Sequence, residues 1–550
     1  MASLSPHSGQ LGTRDAAHLL RRASFGATRR QIDQFAGKSA TTAVTQLLQS
    51  SPISDNLPKD TKTGNIWINP KRTDENSEES IQRRYTKVWW IQQMQQAPLS
   101  LQEKMALFHH THFTTISEKV GSAAALYYQI KLFRYYALGN FKELAKKICL
   151  DNAMLRFLDG QQNDVGRPNE NFAREFLELY TIGKGPQRGD GDYTTYTEAD
   201  VREAAKVFSG WREDREYTNI EATVGVAQIL PKGDKPNIAE RHDASIKQFS
   251  AAFNHQTIAP NELSGDKATV AAAIGEIDQF VEMVFAQPAT AEHLCRKLYR
   301  FFVYYIITEE VELNVIQPLA QSFRANNYEL KPVLQTLFAS QHFYDADNGV
   351  VEDDNTGAII KSPLDLTLGT VRFFQCALPS PEADLEQHYD AYQRTFQLSL
   401  LGMNFYDPFE VAGYTAYHQA PTYHRNWISV NYLARRYEFA KRLISGIKDD
   451  DGRVVAQLDV VAYVSDPNNI SDPFNARLLV RELTDYLLPE AISEERFDYF
   501  LNAILLDGLT EMNWTMEWQN YKGSGNDTGV RVQLENLFNT LLQSPEYQLS

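Results

Sequence analysis

The sequence predicts a mainly α-helical fold, built either as one large multi-helical body or as two closely packed helical lobes. Three observations favour this fold class. Apolar residues recur with the 3.6-residue period of a helix along almost the whole chain. Only EATVGVAQILP at 221–231 has the pattern of a short hairpin, so we expect at most one small β hairpin, near residues 220–235. No internal repeat and no low-complexity tract interrupts the helical pattern.

The predicted elements follow from local signals along the chain. Residues 14–35 hold one helix, a break at Gly26 and Thr28, and the start of a second helix. Ser100 and Glu103 have the spacing of a capping box, which predicts the start of another helix. Further helices are predicted at about 121–138, 140–157, 171–182, 198–209, 266–305, 311–325 and 329–342.

Composition shifts divide these elements into five segments. N-terminal helices cover residues 1–50, and a polar loop rich in Pro, Asn and Asp covers 51–80. A main helical domain extends over 81–345. The turn-rich sequence DADNGVVEDDNTG predicts a linker at 346–362, and a C-terminal helical lobe follows over 363–550.

The composition is that of a folded, acidic globular protein. Apolar residues make up 43% of the chain and charged residues 23%, which excludes a mainly disordered chain. The net charge of −16 disfavours nucleic acid as a partner, because nonspecific binding to it needs a basic surface. No apolar run reaches about eighteen residues, so no membrane span is predicted. Cys149, Cys295 and Cys376 lie far apart in apolar patterns and are expected to be buried thiols.

Three of the 12 histidines lie within four consecutive residues of ALFHHTHF. His112 shares a helical stripe with Met105 and Phe108, so it is expected to face the interior, and His109 lies one turn before it. His110 and His112 face the same side only if the chain extends after His110. Such histidines either bond to carbonyl groups at a helix end or act as metal ligands or acid/base groups. We take His110 and His112 as candidate catalytic residues.

The following loop, DGQQNDVGRPNE, has the oxygen spacing of a calcium loop. Asp159, Gln161, Asn163 and Glu170 occupy positions 1, 3, 5 and 12. Asp164 stands where such a loop needs Gly, and a plain connector between helices is the alternative. Asp159, Asn163 and Glu170 are therefore candidate metal ligands. A divalent metal ion, either calcium or a transition metal, is the candidate cofactor.

The next helix is predicted to carry a narrow polar strip on an otherwise apolar surface. In NENFAREFLELYTIG, Asn171, Arg174, Glu175 and Glu178 fall on one side of a regular helix. A buried strip would need partners because unpaired buried charges are costly, whereas an exposed strip needs no function. We take Arg174, Glu175 and Glu178 as candidate catalytic residues and Asn171 as a candidate substrate-binding residue.

Two later segments add candidates. His242 and Asp243 in RHDASIK follow an irregular loop and are further candidate catalytic residues. The Pro-broken segment YTAYHQAPTYHRNW suits sugar rings, because aromatic faces cover apolar sugar faces, although packing of a helix against a loop gives the same composition. Its candidate substrate-binding residues are Tyr414, Tyr417, His418, Tyr423, His424 and Trp427. No phosphate-binding loop or dinucleotide fingerprint is present, so no nucleotide cofactor is expected.

Several motifs in fixed order resemble one large bacterial family. They are HLLRRASFGAT at 18–28, FHHTHF, LGNFKEL, NENFAREFLELYTIG, YTEADVREAAKVFSGW, HLCRKLYRFFV at 293–303 and the closing SPEYQ. The chain is similar nearly end to end to the proteins of domain of unknown function 1800. It departs from them at Tyr414, which stands where the family has Trp, so a role for that aromatic residue does not carry over.

The resemblance implies a setting for the protein and no particular reaction. Members often carry secretion signals, and their genes often neighbour a secreted family similar to sulfatases and alkaline phosphatases. The start MASLSPHSGQLGTRDAAHLL lacks the basic and apolar segments of such a signal. The resemblance implies a periplasmic, cell-surface or secreted protein of a bacterium, with a cytoplasmic location left open.

We therefore expect an extracytoplasmic enzyme that acts on a glycan or related extracellular polymer. The chemistry would be hydrolysis or elimination by general acid/base catalysis, with or without a metal ion. The alternative is a noncatalytic secreted scaffold or binding partner, for example of a sulfatase- or phosphatase-like protein. An enzyme should present the candidate residues around one solvent-connected cleft, whereas a scaffold should scatter them as separate, satisfied pairs.

Overall fold

The mainly α-helical fold is confirmed in a computed structural model, which describes residues 2–50, 57–68, 78–347, 355–408 and 410–550. The α-helices of these residues are α1 Thr13–Ala23, α2 Arg29–Phe35, α3 Ala40–Leu47, α4 Glu79–Gln96, α5 Gln102–His112, α6 Ser117–Val120, α7 Ala123–Tyr135, α8 Phe141–Ile148, α9 Asn152–Phe157, α10 Asn171–Glu175, α11 Glu198–Val207, α12 Val270–Phe285, α13 Pro288–Phe302, α14 Glu309–Val311, α15 Gln317–Ala325, α16 Leu330–Phe338, α17 Pro363–Phe373, α18 Leu385–Phe396, α19 Thr415–His418, α20 Val430–Ser445, α21 Val460–Ser465, α22 Ala476–Leu487, α23 Glu494–Asp498, α24 Glu511–Ser524 and α25 Thr528–Gln543.

Shorter elements join these helices. The π-helical segments are Phe176–Tyr180, Glu312–Ile316 and Tyr499–Leu505, and the 3-10 segments are Gly160–Gln162, Ala251–Phe253, His342–Tyr344, Leu398–Leu401, Tyr423–Ile428 and Glu546–Gln548. The strands pair two by two and antiparallel: β1 Gln187–Gly189 with β2 Asp192–Tyr193, β3 Trp211–Arg212 with β4 Leu230–Pro231, β5 Lys247–Gln248 with β6 Thr257–Ile258, β7 Leu263–Ser264 with β8 Lys267–Ala268, and β9 Ile447–Lys448 with β10 Val454–Ala456.

The small β content differs from the single predicted hairpin. Of the strand pairs in the described part of the chain, only the one containing β4 reaches the expected region, and there β4 pairs with β3, which lies outside that region. Within the region, Ile220 and Ala227 form an isolated antiparallel bridge. Strands of two or three residues are too short to show the alternation from which strands are predicted. The sequence therefore indicated the fold class but missed these pairs.

The predicted break between the first two helices is present and has a steric cause. Gly26 adopts a positive φ of 91°, and a Cβ atom there would lie 2.8 Å from the Cα of Gly369 in α17. After this close contact, Thr28 accepts a hydrogen bond from the main-chain N–H of Gln31 and begins α2 as an N-cap. A residue larger than glycine would therefore push α1 away from α17.

The start of the histidine helix differs from the predicted capping box. α5 begins at Gln102, and Glu103 turns inward instead of back to Ser100. Arg134 of α7 donates to the Glu103 carboxylate at 2.7 Å, and the Trp90 indole donates to it at 3.3 Å. Glu103 therefore ties three helices together, and α5 is buried along its entire length.

One buried apolar cluster contains residues of the N-terminal, central and C-terminal helices, including Leu11, Met105 and Leu541. The predicted division into five segments stays a prediction, and residues 51–56, 69–77 and 348–354 of its loop and linker lie outside the described residues. The three cysteines are buried thiols, as expected. None of the described helices has the length and apolar character needed to cross a membrane.

Candidate functional site

His110 lies in the aromatic core of the protein. Its side chain is fully buried, its Nε2 lies 3.1 Å from the Tyr414 hydroxyl, and its ring packs edge-on against Trp90. Burial, and then the nearby charge of Lys87, lowers the pKa of His110 to about 3. The imidazole is therefore neutral at ordinary pH. The structure brings a predicted catalytic residue and a predicted substrate-binding residue together here, but away from solvent.

His112 points to a different neighbour, the end of the polar-strip helix. Its Nε2 lies 2.9 Å from the main-chain oxygen of Tyr180, and its Nδ1 lies 3.4 Å from the ammonium of Lys297. Lys297 also donates to the oxygen of Leu179 at 2.7 Å, and His293 lies 3.4 Å from the same oxygen. Because a helix end leaves carbonyl groups without partners, these side chains of α5 and α13 satisfy that end. The histidine helix therefore meets the polar-strip segment, as predicted, but it contacts the backbone of that segment. The acidic side chains of the strip make other contacts.

Lys297 is the notable group that reasoning from the sequence missed. Burial, and then the charge of Arg300, lowers the pKa of the Lys297 ammonium to about 7. The only signal for it was its place in the family-like motif HLCRKLYRFFV. A lysine with such a pKa can exchange a proton near neutral pH.

The polar strip is split between partly exposed ion pairs. Arg174 donates to both carboxylate oxygens of Glu198, at 2.8 Å for Oε2, and to Glu170 at 3.1 Å. Asn171 is exposed at the start of α10. Arg174 therefore connects α10 to α11, and its guanidinium is occupied by carboxylates of the protein itself.

The regular helix that was assumed for the strip ends at Glu175. Phe176–Tyr180 continue as a π-helix, so side chains after Glu175 rotate away from the predicted arc. Glu178 pairs with Lys184 at 2.5 Å. Glu175 is half-buried, and burial, followed by the charge of Glu178, raises its carboxyl pKa. Glu175 and Glu178 therefore remain electrostatic neighbours, whereas Arg174 pairs with Glu198 and Asn171 is exposed.

The predicted metal ligands also have separate partners. Asp159 pairs with Lys119 at 3.1 Å, and Glu170 pairs with Arg174. The Asn163 amide donates to the oxygen of Ala205 at 2.8 Å, so it ties the loop to α11. No group of three or more His, Cys, Asp or Glu side chains that could hold a metal ion occurs among the residues that the structure describes. The divalent cofactor stays a prediction.

His242 belongs to a fully buried network with two partners. Its Nε2 bonds to Glu276, and Lys247 donates to the two Glu276 oxygens at 2.7 and 2.8 Å. All three side chains have no solvent exposure. Asp243 turns away and accepts a hydrogen bond from the main-chain N–H of Ser245 at 2.9 Å. The predicted His242 and Asp243 pair is therefore divided, and Glu276 is the partner that the sequence did not indicate.

The predicted aromatic segment is also divided between environments. Tyr417, His424 and Trp427 line a small cavity of about 30 Å³ between α1, α13, α17 and α19. Tyr423 packs against Tyr305 and lies under the guanidinium of Arg300. His418 is half-buried and is absent from the lining of this cavity, and Tyr414 contacts His110. Three of the six predicted binding residues are thus brought together.

Two larger clefts adjoin each other at Tyr392, which lies in the lining of both. The first, of about 430 Å³, lies between α4 and α18, and we name it the arginine cleft. The second, of about 500 Å³, lies beside the start of α2 and the ends of α4 and α17, and we name it the glutamine cleft. The arginine cleft is lined by Arg83, Arg84, Lys87, Gln393, Phe396 and Phe405 among others, and the glutamine cleft by Gln31, Gln95, Gln96 and Arg372 among others.

The arginine cleft offers hydrogen-bond donors next to aromatic rings, whereas the Arg372 guanidinium of the glutamine cleft already donates to main-chain oxygens, including that of Met94 at 2.6 Å. The Nε of Arg83 and the Nε2 of Gln393 are buried and have no hydrogen-bond partner within the described part of the chain. The Tyr392 hydroxyl donates to Gln95 at 2.8 Å, so the tyrosine joins the two linings. Arg84 is exposed at the rim. Volumes of a few hundred Å³ with scattered donors are typical of ligand sites.

Comparison with known proteins identifies the family of this chain. The family model described as "Protein of unknown function (DUF1800)" matches residues 18–549. No curated protein and no solved structure matches the chain. Because the match extends over nearly the whole sequence, the chain belongs to the DUF1800 family of proteins of unknown function.

Proposed function

We propose that this protein acts outside the cytoplasm as a noncatalytic binding protein for an acidic glycan, which it holds in the arginine and glutamine clefts. The observation that carries the proposal is the pair of clefts adjoining at Tyr392, with aromatic rings, amides and guanidinium groups in their linings. Rings cover apolar sugar faces, and amides and guanidinium groups bond to hydroxyl and acidic substituents. A sulfatase- or phosphatase-like protein stays the predicted alternative partner.

The charge of the arginine cleft supports an acidic ligand. Arg83, Arg84 and Lys87 face one carboxylate in its lining, that of Glu118. Lys87 also pairs with Asp407 outside the lining at 3.4 Å, so the excess of positive charge is that of Arg84. Arg83 pairs with Glu118 at 3.0 Å and still has an unpartnered Nε. A carboxylate or sulfate substituent of a glycan would complement this excess of positive charge.

The carboxylates of the clefts favour binding over hydrolysis. Glycoside hydrolysis generally uses two carboxyl groups on opposite sides of the bond. Glu118 is the one carboxylate in the lining of the arginine cleft and Glu382 the one in that of the glutamine cleft. Several of the predicted catalytic residues, among them His242 and Arg174, bond to partners within the protein, as expected of a noncatalytic protein.

Titration of the purified chain with polysaccharides tests the proposal. We expect saturable binding, measured by calorimetry, of a sulfated or uronic acid polysaccharide and much weaker binding of a neutral one. Arg84→Gln should weaken binding by about tenfold, because a charge-assisted hydrogen bond is lost. Gln393→Ala should weaken binding of both polymers by a smaller factor.

Arg453→Gln is the matched control, because Arg453 is exposed in the turn between β9 and β10 and lines neither cleft. Its affinity should equal that of the unchanged protein. Equal binding of neutral and acidic polymers, or full affinity in Arg84→Gln and Gln393→Ala, would show that the clefts do not bind such a ligand.

The second candidate function is the predicted acid/base enzyme, and Lys297 is the observation that favours it. Its ammonium lies 3.4 Å from His112 Nδ1, and its pKa is lowered to about 7 by burial and then by Arg300. An enzyme using Lys297 as a base should release new polymer ends at a rate that rises through about pH 7. Lys297→Met should then abolish release while leaving polymer binding unchanged. No release of ends from any acidic polymer between pH 5 and 9 would exclude this candidate.

A further inference from the structure

The small cavity beside Tyr417 has a strongly cationic lining. Arg21 and Arg22 of α1, Lys104 of α5 and Arg300 of α13 all contribute, whereas Asp365 is the single carboxylate side chain in that lining. Lys104 and Asp365 pair with each other. The cavity therefore keeps an excess of positive charge.

Several donors around the cavity are buried and unpartnered. The Nε of Arg22, the Nε of Arg300 and the Nη1 of Arg21 have no hydrogen-bond partner in the described ranges. Arg22 is 4% exposed, and its other nitrogens donate to main-chain oxygens, including that of Val303 at 2.9 Å. Buried donors without partners are costly and uncommon in native proteins.

His424 adds a donor whose tautomer is fixed by the structure. Its Nδ1 accepts the main-chain N–H of Ile360 at 3.0 Å, so the ring proton of the neutral imidazole lies on Nε2. That Nε2 is buried and has no partner within the described residues. Burial, followed by the charge of Arg22, lowers the pKa of His424 to about 4, so the ring is neutral at ordinary pH. A neutral donor therefore joins the cationic ones.

Burial of the two α1 arginines disfavours their charged forms. Burial is the largest cause that lowers the pKa of Arg21 to about 10 and the pKa of Arg22 to about 9. Both arginines stay charged at neutral pH, and nearby carboxylates such as Asp345 and Asp365 compensate their charge only in part. The start of α17, capped by Ser362 in the cavity lining, adds the positive end of a helix dipole.

We propose that this cavity is a binding site for a small oxyanion, held by Arg22, Arg300 and the Nε2–H of His424. Every unpartnered group is a donor, which fits a ligand that only accepts hydrogen bonds, such as sulfate, phosphate or a carboxylate. The volume of about 30 Å³ is about twice the minimum that one ordered water needs, which suits such an ion and is too small for a sugar ring. The bound ion would link α1, α13 and the segment after α19.

The oxyanion site is separate from the clefts of the proposed function, because their linings share no residue. Its ligand is either a free ion or the acidic group of a larger molecule. Both sources offer the same acceptor oxygens. Sodium sulfate, sodium phosphate and sodium acetate probe the free ions, and a sulfated monosaccharide probes the attached group.

Calorimetry and thermal unfolding of the full chain test this site. The protein is exchanged into a chloride buffer, and each probe is added at constant ionic strength. We expect saturable binding of at least one oxyanion and a rise in Tm that saturates at the same concentration. His424→Phe keeps the ring but removes the donor and should weaken binding by about tenfold, and Arg300→Gln by at least as much.

Arg453→Gln is the matched control, because Arg453 is exposed in the turn between β9 and β10 and is absent from the cavity lining. It should bind the oxyanion like the unchanged protein, and so should Arg84→Gln of the arginine cleft. If Arg300→Gln does not fold, His424→Phe alone decides the test. Absence of saturable binding for all four probes, or unchanged affinity in His424→Phe, would overturn the oxyanion site.

Discussion

Two groups of buried charges in this protein differ in how completely they are satisfied. In the first, His242 and Lys247 surround Glu276, and the lysine alone donates to both carboxylate oxygens. In the second, Arg22, Arg300 and His424 surround a cavity and keep donors without partners. Both groups combine residue types that carry out chemistry in enzymes. The groups of the first network bond to one another without a ligand, whereas the second group keeps hydrogen-bond donors that could bind one.

This difference indicates which group stabilises the fold and which can bind a ligand. Removing one member of a closed buried network leaves a partner charged and unpaired, which costs folding free energy. In the open group, replacing Arg300 removes an Nε donor that has no partner among the described residues and relieves the repulsion between Arg300 and Arg296. Opposite effects on stability are therefore expected from substitutions at Glu276 and at Arg300.

The largest effect is expected when the closed network is broken at Glu276. Glu276→Gln should lower the free energy of unfolding by about 3–5 kcal/mol, because the Lys247 ammonium keeps its burial but loses its counter-ion. Urea unfolding followed by circular dichroism measures this change. Glu282→Gln on the same helix is the control, since Glu282 is half-exposed beside Lys142 and Lys146 and should cost less than about 1 kcal/mol. Equal small losses in both variants would contradict a closed network.

The sequence predicted the helices because helix signals are local. Apolar periodicity and turn residues lie within a few positions of one another, so α1, α2, α7 and α11 were expected near their observed places. The π-helix at Phe176–Tyr180 was missed because the prediction assumed a regular α-helix throughout NENFAREFLELYTIG. The predicted directions of the side chains were therefore wrong at the polar strip, which was a candidate site.

The candidate site was harder to predict because its partners are distant in sequence. Glu276 lies 34 positions from His242, and Tyr414 lies 304 positions from His110. The residue type alone made His242 a candidate catalytic group. Only the fold shows that both of its ring nitrogens already have hydrogen-bond partners. The oxyanion cavity likewise gathers residues of α1, α5, α13 and α17, so no local pattern could indicate it.

A smaller effect is expected from the acid sensitivity of His110. Its pKa is about 3 in the folded protein, lowered from 6.5 by burial and then by Lys87. Between pH 6.5 and 3, His110 binds a proton in the unfolded chain but not in the folded protein. The contribution of neutral His110 to the free energy of unfolding is therefore fully present above pH 6.5 and is lost as the pH falls. Between pH 6.5 and 4.5 this loss should reach about 2 kcal/mol, given about 1.4 kcal/mol per pKa unit.

His110→Phe should remove this loss, although it lowers stability at pH 7 by disturbing the core. The measured quantity is the difference in unfolding free energy between variant and unchanged protein at pH 7, 5.5 and 4.5, and it should shrink by about 2 kcal/mol. Met512→Gln, at an exposed position without a titratable side chain, is the control and should show a constant difference. A constant difference in His110→Phe as well would show that His110 does not resist protonation.

The smallest effect is expected at Arg174, which contrasts most with Glu276. Arg174 has two carboxylate partners, as Glu276 has two basic ones, but its side chain is 34% exposed and that of Glu198 29%. Water therefore screens the pair, and Arg174→Met should lower the free energy of unfolding by less than about 1 kcal/mol. High salt should reduce even that difference, while leaving the effect of Glu276→Gln unchanged. A loss of several kcal/mol at Arg174 would mean that solvent exposure does not weaken its ion pairs, and burial could no longer explain the larger loss expected at Glu276.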